Sequence, residues 1–185
     1  MTSQTTQGED VIAILLQQHQ RVKELMADIR TADGDHKRQA FDELRALLAA
    51  HETAEEMVLR PVTRSLGEQA VAQARNAEED QANHVLADLE KLDPADAEFD
   101  ATFATFEQAV LMHAEKEERE EFPLVQAESS PQRLARLGKA LLAAEKIAPT
   151  HPHPGAAGST TAQWTVGPFA SLVDRARDAV TRATS

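Results

Sequence analysis

His113–Pro123 reads HAEKEEREEFP, and His51–Pro61 reads HETAEEMVLRP. In each stretch a pair of acids stands four and five residues after the histidine, and a proline stands ten after it. A helix turns once in 3.6 residues, so side chains at i and i+4 share a face, one turn apart. Each stretch therefore offers an imidazole and a carboxylate in the same direction. Two such helices facing each other would bring both pairs to one point, the donor set of a dinuclear carboxylate metal site in a helix bundle.

Both stretches continue apolar seams. Asp10 is a cap for a first helix to about Thr31, with Ile12, Leu15, Val22, Met26 and Ile29 in steps suited to a bundle. His19 fills the step where the pattern asks for leucine. After TADGD, Asp35 can cap a second helix whose seam reads Phe41, Leu44, Leu48, then His51 and Glu55, then Val58 and Val62; Pro61 is expected to end or kink it. Gly67 marks a break. A third helix, from about Glu68 to Leu92, has the weakest apolar signal; Ala74, Gln81, Val85 and Leu92 point roughly one way, with His84 at their edge. Asp93-Pro94 starts a fourth, where Phe99, Phe103, Phe106 and Val110 lead to His113 and Glu117. Ser130-Pro131 opens a fifth to about Ile147, carrying Leu134, Leu137 and Leu141. A Pro/Gly/Ser/Thr-rich loop comes next, then Trp164 and a last helix from Pro168 with Phe169, Leu172, Val173, Ala176 and Val180 on one side. The expected fold is all-α: an up-down-up-down four-helix bundle with one or two additional C-terminal helices. The expected divisions are a flexible leader at 1–9, the bundle at 10–128, and a helical extension at 129–185 with the Pro/Gly/His loop at 148–167.

A coarse internal repeat, His19 before His51 and His84 before His113, places a candidate ligand on every helix of the bundle. The candidate metal site is His19, His51, Glu55, His84, His113 and Glu117. One histidine on an apolar face is ordinarily a hydrogen-bonded core residue; six polar groups in register are a different matter. Burying carboxylates costs several kcal/mol each unless something neutralises them. The seam positions supply no lysine or arginine, which leaves a dication or two for that role. Glu55 and Glu117 lie about 40° from their histidines, and Glu56 and Glu118 about 140°. Glu52 is a weaker candidate. Asp80, one turn before His84, reads as a further ligand, a partner holding His84, or an exposed acid. His36 is expected in solvent, and His151 and His153 in the loop.

The totals exclude several classes. The chain of 185 residues carries no cysteine, which rules out disulfides, thiolate zinc and iron–sulfur sites, and no tyrosine, the usual one-electron relay. A net charge of −12 argues against nucleic acid as a partner. No apolar run approaches the ~20 residues of a membrane span, and the N-terminal MTSQTTQGED has neither a basic start nor an apolar signal core. A cytoplasmic protein is expected. No glycine-rich phosphate loop or nucleophile–histidine–acid arrangement is present.

The pattern His19, His51-x-x-x-Glu55, His84, His113-x-x-x-Glu117, with the EE pairs and the FP after the second motif, resembles the hemerythrin-like (HHE) cation-binding family over about residues 10–125. The tail GPFASLVDRARDAV is similar to the segment after the bundle in actinobacterial members. The resemblance implies a four-helix bundle with two non-haem irons. Glu55 and Glu117 would bridge them, His19 and His51 would serve one iron, and His84 and His113 the other, with an oxo or hydroxo bridge completing the pair. The donor types alone suit manganese as well as iron. Oxygen carriers of the family have a histidine where Asp80 stands, and their helix-4 bridging acid comes five residues after the histidine rather than four. An oxygen-richer donor set favours the ferric state. The expectation is therefore catalase-like peroxide chemistry, or oxidative and nitrosative stress handling. The alternative is a protein that binds O2 or NO reversibly, or senses oxygen or iron. A homodimer through the C-terminal helices is a further expectation.

Overall fold

The computed structural model describes residues 10–148. The expected leader at 1–9 and nearly all of the loop and last helix, including His151, His153 and Trp164, lie outside the described residues. The helices are α1 (Val11–Thr31), α2 (Gly34–Ser65), α3 (Gln69–Leu89), α4 (Ala97–Lys116), a π-helical turn (Glu117–Glu121), α5 (Phe122–Ala127) and α6 (Pro131–Glu145). The fold is the expected helical bundle, with α1 to α4 forming the four-helix unit and α6 packing on α1 and α2. Among the described residues no helix is long and apolar enough to cross a membrane.

Local chemistry sets the boundaries. The Asp10 carboxylate accepts from the Ile12 N–H and starts α1, and the Ser130 hydroxyl accepts from the Arg133 N–H and starts α6. Gly67, at φ 90°, lets the chain leave α2 through the left-handed region. Pro61 neither ends nor interrupts α2, which runs on to Ser65. Burial of Val58, Leu59 and Val62 around the proline offsets the backbone hydrogen bond it cannot make. The equivalent Pro123 has a different outcome. Just before it the chain widens into the π turn, where the Phe122 N–H donates to the Glu117 carbonyl five residues back.

The core is split in two. One apolar cluster joins Leu15 of α1, Val58 and Val62 of α2, Phe122 and Val125 of α5, and Leu134, Leu137 and Leu141 of α6. The other joins Val22, Met26 and Ile29 of α1, Phe41, Leu44 and Leu48 of α2, Leu86 of α3, and Phe99, Phe103, Phe106 and Val110 of α4. On every helix of the four-helix unit the inward polar residues fall between or beside these clusters. The site is a polar layer sandwiched by apolar ones.

Candidate metal centre

Two overlapping groups of metal-competent side chains meet in that layer. His19, His51, Glu55 and Glu117 form one; Glu55, Glu79, His113 and Glu117 form the other. Within each group one donor atom per residue lies within 4.8 Å of all the rest. Glu117 faces both ways: Oε2 is 3.3 Å from His19 Nε2, and Oε1 is 3.2 Å from His113 Nε2. Glu55 Oε2 lies 3.5 Å from His51 Nε2. Both shared carboxylates are fully buried.

The imidazoles are aimed from behind. His19 Nδ1 lies 2.9 Å from a Glu118 carboxylate oxygen, His51 Nδ1 lies 2.8 Å from the Gln18 amide oxygen, and His113 Nδ1 lies 3.1 Å from a Glu78 carboxylate oxygen. Each of these outer atoms accepts, so Nδ1 must donate and Nε2 is left facing the cluster, with its lone pair free wherever the ring is neutral. Gln18 is itself fixed, its amide N–H donating to Glu145 of α6 at 2.5 Å.

The chain's donors fit a bound cation. His19 Nε2, His113 Nε2, Glu55 Oε1 and Glu117 Oε2 are buried without a hydrogen-bond partner, and all four residues belong to the two groups. Burial, reinforced by His19, pushes His51 down to about 3, so it is neutral and able to ligate. Burial and the nearby Glu117 charge hold the Glu55 carboxyl well above the ordinary range, and burial raises Glu79. Burial also works against Glu117, yet His113 and Arg60 hold it well below. The same contact, with Glu78, keeps His113 protonated well above its usual range against the effect of its own burial. The acids therefore cannot all ionise together without more positive charge.

The structure brings together His19, His51, Glu55, His113 and Glu117, but not His84. That side chain is 60% exposed, and its Nδ1 lies 2.7 Å from the Asp80 carbonyl oxygen. The helix-3 residue facing the cluster is Glu79. The buried stripe of α3 is Ala72, Arg75, Asn76, Glu79, Ala82, Asn83, Leu86 and Leu89. His84, five residues after Glu79, is turned about 140° away, and Ala74 and Gln81 are exposed. The second acids of the EE pairs stand apart from both groups: Glu118 backs His19, and Glu56 is buried. Glu52 accepts from the Asn83 side-chain amide, and burial pushes its carboxyl up to about 8.

Arg60 corrects a second expectation. It is fully buried, and its guanidinium donates to Glu117 and Glu121, contacts Glu79 and approaches Glu55. The seam did not supply this cation, because α2 is not buried along a seam alone. From Thr53 to Arg60 every residue is buried, with α6 covering the face away from the site.

A cavity of about 20 Å³ opens on the layer, lined by His19, His51, Glu52, Glu79 and His113 together with Val22, Leu48, Ala82, Val110 and Ala114. That is room for a ligand of about water size.

A helical bundle carrying a buried His/Glu layer is the architecture of a cation-binding bundle protein. Residues 10–125 match the Hemerythrin HHE cation binding domain, and the chain belongs to that family. An uncharacterised hemerythrin-like protein of Schizosaccharomyces pombe is 24% identical over 134 residues, covering 71% of this chain and 66% of its own length. The crystal structure of a hemerythrin HHE cation binding domain-containing protein from Mycobacterium kansasii has a TM-score of 0.66 at 21% identity, covering 94% of this chain and 98% of that one. Likeness at that identity speaks for the fold.

Proposed function

We propose that the chain holds two iron ions, one in each overlapping donor group, and handles peroxide or a related small oxidant there. The observation that carries this reading is the sharing of Glu55 and Glu117 between the two groups. Two ions held by common carboxylates would supply paired one-electron redox chemistry at a small ligand. The protein's own part is to position that ligand and limit its size. The apolar lining residues Val22, Leu48, Ala82, Val110 and Ala114 favour small neutral molecules such as H2O2, O2 or NO, and a cavity of about 20 Å³ disfavours larger substrates. The donor set is richer in oxygen than the sequence pattern suggested, since Glu79 stands where His84 was expected. That shift supports ferric iron and peroxide turnover over reversible oxygen carriage. Reversible O2 or NO binding, or sensing, is the second reading; a small cavity with apolar residues in its lining admits those ligands as well.

Mass spectrometry of the protein purified from iron-supplemented cells should find two irons per chain, with an oxo-bridged diferric absorption that His113→Ala removes. Added peroxide should release oxygen. Retention of iron with no peroxide consumption would move the reading to binding or sensing, and failure to retain or rebind iron would remove it.

A further inference from the structure

Arg60 engages one end of the centre more closely than the other. Its Nη2 donates to Glu117 Oε1 at 2.5 Å, contacts Glu79 Oε1 and lies 3.5 Å from Glu55 Oε2. Glu79 belongs to the second donor group alone, Glu55 and Glu117 to both, and the Glu117 and Glu79 oxygens that the guanidinium contacts are the ones that face His113 Nε2, at 3.2 and 3.6 Å. Its Nη1 donates at 2.6 Å to Glu121 Oε2, and Glu121 belongs to neither group. Glu121 is itself fully buried and fixed by the Thr63 hydroxyl, which donates to Oε1 at 2.5 Å. The guanidinium is thus anchored at one nitrogen and engaged with prospective metal ligands at the other.

We propose that Arg60 is a positioning residue: a resident counter-cation that holds Glu55, Glu79 and Glu117 converged before metal enters, and that competes with the ion of the His113 end for the same oxygens. Three buried carboxylates drawn to one point repel one another unless a positive group sits among them. A guanidinium, always charged and donating from a planar fork, can do this without leaving when an ion arrives. Nη2 releases the shared oxygens while Nη1 stays on Glu121. At the His19/His51 end the guanidinium reaches only the Glu55 oxygen that faces His51, at 3.5 Å, and so competes less there. The two ends should therefore load in order, the His19/His51/Glu55/Glu117 group first and the Glu79/His113 group second and more weakly. This rests on the reading of the layer as a two-ion centre.

The test is a titration of metal-stripped protein with Fe(II) under anaerobic conditions, followed by calorimetry, with bound iron counted and the melting temperature of the metal-free form recorded. The wild type should take two ions in separate steps, the second at least tenfold weaker. In Arg60→Gln the metal-free form should melt lower, while the second step tightens and the gap between steps narrows at least tenfold. A merely structural arginine would lower the melting temperature and weaken both steps, and that result overturns the proposal. Arg60→Lys, which keeps the charge but not the fork, should restore the metal-free melting temperature in part and narrow the gap about threefold. It carries the test alone if the glutamine variant does not fold, and an unchanged gap in it is equally fatal. A wild type that binds two ions with equal affinity overturns this inference while leaving the two-ion reading intact. A wild type that binds none overturns the reading beneath it.

Discussion

The two ends of the polar layer are built from the same parts and finished differently. Gln18 precedes His19 on α1 and backs His51 on α2; Glu78 precedes Glu79 on α3 and backs His113 on α4. Nine residues after His51 stands Arg60, and nine after His113 stands Phe122. The Phe122 ring stacks on His19 with centroids 5.5 Å apart, whereas Arg60 runs among Glu79, Glu117 and Glu121. One end is therefore nitrogen-rich with an aromatic wall. The other is carboxylate-rich with a cation beside it. A repeat of this kind fixes where donors go but leaves their charge free to differ, and that difference can make two neighbouring ions unequal in affinity and in potential.

Removing a shared donor should have the largest effect. Glu117→Ala takes an oxygen from both groups and should reduce bound iron from two per chain to a trace. Glu79→Ala touches the second group alone and should leave about one. His84→Ala, at an exposed position, should leave both. Metal counting on the three purified variants checks the series. Loss of an ion in His84→Ala would break the assignment of α3, and two ions retained in Glu79→Ala would break the comparison of the ends.

The aromatic at one end and the cation at the other should also differ in kind. Phe122 is 2% exposed and belongs to the apolar cluster shared by α1, α2, α5 and α6. Phe122→Ala should cost about 3–5 kcal/mol, the usual range for emptying a buried phenylalanine site. That cost should be nearly the same with and without metal, because the ring packs but does not ligate. Denaturant unfolding of both forms measures it. A cost that vanished on metal loading would mean that Phe122 acts through His19 rather than through packing.

The sequence was legible where periodicity and chemistry agreed. On α1, α2 and α4 long apolar seams set the phase, so His19, His51, Glu55, His113 and Glu117 could be placed on inward faces without coordinates. On α3 the inward stripe is largely polar, with Arg75, Asn76, Glu79 and Asn83 buried on it. The apolar periodicity there tracks Ala74 and Val85, and it pointed to His84. Arg60 stayed hidden because arginine defaults to solvent, and nothing local says that α6 closes over the back of α2. The two prolines show the limit of local rules. The same residue at the same offset is absorbed by a regular helix at Pro61 and sits beside a π turn at Pro123.

The smallest effect should come from the residues that aim the histidines. Gln18 and Glu78 ligate nothing in either group, but each accepts from Nδ1 and so fixes both tautomer and ring direction. Loss of such a partner typically weakens metal binding 10–100-fold. Gln18→Ala should weaken the His19/His51 step, and Glu78→Ala the Glu79/His113 step. The two changes should not be equal. The Glu78 carboxylate, held down to about 2 by His113, Lys116 and Arg75 against the opposing effect of burial, stabilises the charged His113 that a metal must deprotonate. Removing it both frees the ring and eases loss of that proton, and the two effects oppose. Gln18 is neutral and its loss has no such compensation. Stepwise Fe(II) affinities should therefore fall further in Gln18→Ala than in Glu78→Ala. If the order is reversed, orientation outweighs charge at the carboxylate-rich end, and the contrast between the two ends is geometric rather than electrostatic.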